Sequence, residues 1–127
     1  MKFESVNDKL AKEEGVLSVV PLKVLEPSRY SYDALLVQPV GVMQATEQRI
    51  GHVDQDATGE LYQDLLHKAC EHSVDLVVTP EYCMPWSVIN KIYEDGLKPK
   101  EGALWILGSE SITPEELTSF KDKQKEL

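Results

Sequence analysis

Asp75-Leu76-Val77-Val78-Thr79-Pro80-Glu81-Tyr82-Cys83-Met84-Pro85-Trp86 is the stretch on which the fold turns, because a short apolar run stops there at a proline followed by one acidic residue. Leu76, Val77 and Val78 are consecutive rather than alternating, which predicts a strand covered on both faces, as in a parallel sheet with helices on each side. Pro80 lacks the N–H that would continue a ladder, so the strand is predicted to end there. In open α/β sheets ligands and chemistry collect at the carboxyl ends of the strands. That rule makes Glu81 the leading functional candidate.

Working outward, Ala34-Leu35-Leu36-Val37-Gln38-Pro39 repeats the same design and predicts a first core strand beginning near Asp33. Between the two runs, Gly41 to Gly59 is mostly polar and without sustained periodicity. It reads as a long crossover loop with a short helical piece around Ala45 to Ile50. Glu60 to His72 then places Leu61, Leu65, Leu66, Ala69 and Cys70 on one helical face, with Thr58 or Asp56 available as a cap. Strand, helix and strand form a βαβ unit. Beyond Glu81, Trp86, Ile89, Ile92 and Tyr93 fall at helical spacing with Gly96 placed as a terminator. Ala103 to Gly108 predicts a third strand. Thr113-Pro114-Glu115-Glu116 has the cap, first-turn proline and capping-box glutamate of a last helix, whose stripe is Leu117, Phe120, Gln124 and Leu127.

The domain is expected to occupy 33–127 and to be truncated at its C-terminus, since no stop signal follows that stripe. Residues 1–32 read as an N-terminal extension or arm: Phe3, Val6 and Leu10 form a thin helical stripe ending near Gly15, and Val16 to Leu25, broken by Pro21, suits one or two short edge strands. An open sheet edge and an apolar last-helix stripe predict association, either as a homo-oligomer or with the remainder of the same domain.

Composition narrows the function classes. The 127 residues carry 13 basic and 22 acidic side chains, a net charge of -9 that repels nucleic-acid phosphates and anionic membranes. No run approaches the roughly 20 apolar residues of a membrane span, and the N-terminus has no apolar signal core. Two cysteines are too few for a disulfide framework and suit a cytoplasmic location. His67, Cys70, His72 and Cys83 lack the spacing of a structural zinc site, and Cys70 falls on the buried stripe, so no metal or other cofactor is expected. Ser109, in Gly108-Ser109-Glu110-Ser111, lacks the second glycine of a nucleophile elbow and reads as a turn residue.

Leu76-Val77-Val78-Thr79-Pro80-Glu81-Tyr82 resembles the strand-Pro-Glu motif of the nitrilase, or carbon-nitrogen hydrolase, superfamily. The order of a first strand at Leu35 to Gln38, a helix, the Pro-Glu strand end and a third strand ending Leu107-Gly108-Ser109-Glu110 is similar to that family's opening section over roughly Asp33 to Ser111. The resemblance implies an α/β fold forming part of an αββα sandwich, with a parallel-rich sheet and cover helices. It also implies a Glu-Lys-Cys triad acting on an amide or nitrile, with Glu81 as the general base.

The family's lysine and cysteine lie on strand ends past the third strand. Lys98 and Lys100 precede that strand and do not fit the lysine, and Cys83, two residues from Glu81, cannot face a substrate carbon from a separate element. Tyr82 and Trp86 are candidate pocket residues, and Tyr82, Met84 and Trp86 are the expected apolar shield of Glu81. The rival reading is a non-catalytic binding or regulatory module of a larger assembly. On the bland reading Glu81 merely caps the helix that starts near Trp86.

Overall fold

The computed structural model describes residues 22–26, 28 and 30–125. Among these, β1 (Ala34–Leu36), β4 (Leu76–Val78) and β5 (Leu104–Ile106) form a parallel sheet in the order β1-β4-β5. The strands pair in register, Leu35 with Val77 and Val77 with Trp105. Three helices accompany them: α1 (Gln55–Glu71), α2 (Trp86–Glu94) and α3 (Pro114–Lys125).

The chain moves across the sheet in one direction, so two crossovers of the same hand put α1 and α2 on the same face. Among the described residues the core therefore lies on that face. Tyr62, Leu66 and Ala69 of α1, Val77 of β4, Val88 of α2 and the following-turn residues Cys83 and Met84 form one buried cluster, with Leu35 and Trp105 packed against it from the neighbouring strands. The expectation of a strand covered on both sides is met on one side by the described helices. Val77 is fully buried, whereas Leu76 and Val78, which point the other way, are half-buried. The outer face is apolar in every row, Ala34-Leu76-Leu104 and Leu36-Val78-Ile106, and Leu36 and Ile106 are 74% and 51% exposed.

The segment expected to be a loop with a helical piece is instead a β-hairpin, β2 (Met43–Ala45) paired antiparallel with β3 (Ile50–His52). Its turn closes through Thr46, whose hydroxyl accepts from the N–H groups of Gln48 and Arg49 while its own N–H donates to the Arg49 carbonyl. This local side-chain turn leaves no hydrophobic periodicity to read. The first helix also starts earlier than expected, because Asp54, not Asp56 or Thr58, is the cap: its carboxylate accepts from the Ala57 N–H at 3.1 Å.

Both helix ends follow one pattern. At the end of α1 the Val74 and Ser73 N–H groups return to the Ala69 and Cys70 carbonyls, and at the end of α2 Leu97 and Gly96 return to Ile92 and Tyr93. Each needs a left-handed residue, supplied by Gly96 at φ 63° as expected and by Ser73 at φ 51°. The capping box at α3 forms as read, Thr113 N–H to Glu116 and Glu116 N–H to the Thr113 hydroxyl. The last-helix stripe is partly covered, since Phe120 packs edge-on against Trp86 and Tyr93 of α2 at 5.0 and 5.8 Å.

The readings made over residues 1–21 lie outside the described residues, as does Leu127. The end of the supposed edge strand, Lys23–Leu25, is a 3₁₀ turn, with buried Val24 donating to the Gly102 carbonyl at 3.1 Å.

Two stability predictions follow from the helix ends. Ser73→Gly relieves a left-handed side-chain conformation and should raise stability by about 0.5–1 kcal/mol, while Gly96→Ala should lower it by a similar amount, read from urea midpoints. Glu116 is held below its ordinary carboxylate value of 4.5, first by the Thr113 backbone N–H and then by the Thr113 hydroxyl. Its folded value is the lower one, so the cap's contribution is complete above the ordinary value and is lost as pH falls through the folded one. The Thr113 and Glu116 amide resonances should report that acid-side transition, and Glu116→Gln should remove it.

Candidate active-site edge

The turn after β4 presents Glu81 at the carboxyl edge of the sheet, and its construction is unusual. Gly108 lies so close beneath it that a Cβ there would come within 2.1 Å of the Pro80 carbonyl oxygen and 2.8 Å of the Glu81 Cα. Only glycine permits that approach. The Gly108 N–H donates to the Thr79 hydroxyl at 2.8 Å, Met84 N–H returns to the Gly108 carbonyl at 3.0 Å, and Glu110 N–H to the Met84 carbonyl at 2.9 Å. To make the reversal, Tyr82 takes φ 60°, a left-handed conformation costly for a large side chain. Glu81 thus stands at the tip of a strained turn fastened at both ends.

Its side chain is exposed and makes no hydrogen bond or ion pair among the described residues. The expected apolar shield does not form around it: Met84 is sealed in the core, Tyr82 is 37% exposed, and Trp86 turns away to donate its indole N–H to the Glu110 carbonyl at 3.0 Å. Trp86 does line a cleft of about 480 Å³ with Arg49, Gln55, Asn90, Glu110 and Phe120; Tyr82 and Glu81 are not among its walls.

Glu110 is the group the sequence reading missed. It is 9% exposed and collects three donors: the Arg49 guanidinium as an ion pair, the Gln55 side-chain amide at 2.6 Å, and the Trp86 backbone N–H at 2.9 Å. That last bond, not one from Glu81, caps α2. A signal was present, since α2 begins after Pro85, which has no side-chain acceptor for the free N–H groups of a helix start. Next to it, Ser111 exchanges bonds with Ile50 of the hairpin: the Ile50 N–H donates to its hydroxyl and its own N–H to the Ile50 carbonyl.

A second cleft of about 380 Å³ opens at the same sheet edge between Val37, Pro39, Gly41, His52, Pro80 and Cys83. His52 is 3% exposed. Cys83 is a buried core thiol beside the hydroxyl of Tyr62, whose titration is pushed up by burial first and by that cysteine second. Both lysines weighed for the triad lie away from Glu81. Lys100 pairs with buried Asp75 at 2.7 Å, at the opposite end of β4, and the Lys98 carbonyl accepts from Cys70 at the end of α1. His67 and His72 are exposed, and no three His, Cys, Asp or Glu side chains among the described residues are grouped to hold a metal ion. No described helix is long and apolar enough to cross a membrane.

No family model, curated protein or solved structure matches this chain.

Gly108→Ala should destabilise the chain by about 1–3 kcal/mol or more, because backbone rather than a flexible side chain must yield. Glu110→Ala removes the acceptor of a guanidinium about one-third exposed and of a helix start, and should cost about 2–4 kcal/mol in chemical denaturation. A loss under about 0.5 kcal/mol for either would show that the turn does not depend on this clamp.

Proposed function

We propose that this chain carries the general-base side of a nitrilase-like carbon-nitrogen hydrolase, with Glu81 as the base that deprotonates a cysteine thiol and later a hydrolytic water. What supports the reading is the turn itself: a carboxylate at the carboxyl edge of a parallel sheet, on a strained left-handed turn held by Gly108, is the kind of pre-set geometry that functional sites maintain at the expense of stability. The motif that carries the resemblance, Leu76 to Tyr82, is the same segment. In this reading the two layers are half of an αββα sandwich, the bare apolar sheet face is the plane on which a second sheet packs, and the family's lysine and cysteine come from strand ends beyond β5. The substrate is a small amide or nitrile, and the compartment is the reducing cytoplasm, where Cys70 and Cys83 stay as free thiols.

The competing reading, a non-catalytic module of the same fold, draws on one observation: among the described residues, neither the weighed lysines nor Cys83 is positioned as a partner for Glu81.

The 127-residue chain assayed by itself should hydrolyse no amide or nitrile. In the active protein that contains it, Glu81→Gln should lower kcat by about 10²–10⁴-fold with the fold intact, as expected for loss of a general base. Cys83→Ala should retain activity. Full activity in Glu81→Gln would remove the base assignment, and inactivity of a folded Cys83→Ala protein would point to the buried thiol instead.

A further inference from the structure

We infer that the cleft at the Pro80 rim holds the acyl end of the substrate, a short uncharged aliphatic chain with one hydroxyl that bonds His52. That the ligand is a substrate rests on the hydrolase reading; that the cleft binds it does not. One atom carries the inference. His52 is 3% exposed, and its Nε2 is buried with no hydrogen-bond partner among the described residues. Buried polar side chains are as a rule bonded, and one left unpaired is costly. The same residue is a wall of the cleft of about 380 Å³, within the range of small-molecule sites, about 300–1,000 Å³.

Backbone design holds the imidazole in place. His52 ends β3 opposite Met43 of β2, so both side chains leave the same face of the hairpin, and both line the cleft. Gly41 makes room for the ring: a Cβ at that position would come within 2.7 Å of the His52 Nδ1 and 2.9 Å of its Cε1. A side chain at 41 would therefore displace the imidazole.

The other walls set the class of ligand. Val37, Pro39, Met43 and Pro80 are apolar, and among the described residues no lysine, arginine or carboxylate lines the cleft. An ionised chain would lose its water there without gaining a counter-charge, so the chain is neutral. A hydroxyl both donates and accepts, and so pairs with His52 in either tautomer. Pro80 belongs to the wall and Glu81 is the next residue, so the rim of the cleft is where the amide end of such a ligand meets the candidate base.

Titration of γ-hydroxybutyramide, butyramide and succinamate into the 127-residue chain, followed by the ring resonances of its three histidines, tests the assignment. The His52 signals should move while those of His67 and His72 stay fixed, and γ-hydroxybutyramide should bind about 3–10-fold more tightly than butyramide, the worth of one neutral hydrogen bond. In His52→Leu, followed at the Gly41 amide, and in Gly41→Ala, the two amides should bind alike while the circular dichroism of the parent is kept. No movement at His52, equal movement at all three histidines, equal affinities of the parent for the two amides, or tightest binding of the succinamate carboxylate overturns the proposal. A hydroxyl preference that survives both variants overturns it as well. These titrations read occupancy and the Glu81→Gln assay reads turnover, so the cleft and the base fail separately.

Discussion

One buried carboxylate joins elements that the sheet by itself would leave loose. Glu110 takes the guanidinium of Arg49 from the hairpin, the amide of Gln55 from the first turn of α1 and the backbone N–H of Trp86 at the start of α2. A carboxylate taken out of water is costly, and these donors offset that cost with charge-assisted bonds. Because each donor comes from a different element, the same bonds fix how the hairpin and two helices sit over the carboxyl edge. The strand ladder has only three residues per strand and cannot fix these positions.

Clamp and candidate base are coupled through backbone. Gly108, two residues before Glu110, is pressed against the Pro80 carbonyl and the Glu81 Cα, and the Met84 N–H and carbonyl bond to Gly108 and Glu110 on either side of Ser109. The turn can therefore hold Tyr82 in a left-handed conformation without relaxing into a wider loop. The strain sits where a carboxylate is presented, and the bonds that sustain it lie on the adjacent strand extension. Functional groups on loops are commonly held this way, by a scaffold that over-determines the loop.

Where the sequence was legible, the signal was local. The strands that close shortly before Pro39 and Pro80, at Leu36 and Val78, the helix from Trp86 to Glu94 with Gly96 behind it, and the Thr113 capping box all follow from residues within one turn of the feature they specify. What could not be read depended on partners far along the chain. The hairpin between Met43 and His52 is closed by a Thr46 side-chain turn and docked by Ser111, 61 residues from Ile50, so the segment carries polar residues and no alternation of its own. In the sequence Glu110 reads as part of a strand end, and its importance depends on three donors that periodicity cannot bring together. Glu81 was legible as a motif, but its exposure was not, because Met84 and Trp86, close to it in sequence, face away from it in space.

The one-sided sheet explains the apparent contradiction in the Leu76-Val77-Val78 run. A run of consecutive apolar residues predicts cover on both faces, and among the described residues helices supply it on one, since crossovers of one hand advancing in one direction accumulate on a single side. The residues on the other side are nevertheless those of an interior: Leu36, Val78 and Ile106 in one row, Ala34, Leu76 and Leu104 in the next. An antiparallel sheet that ordinarily faces water would carry polar side chains there. Sequence and topology therefore make different statements about the same face, and both hold if the sheet is built to be one half of a sandwich. The side chains in both rows are apolar, and among the described residues no helix covers them.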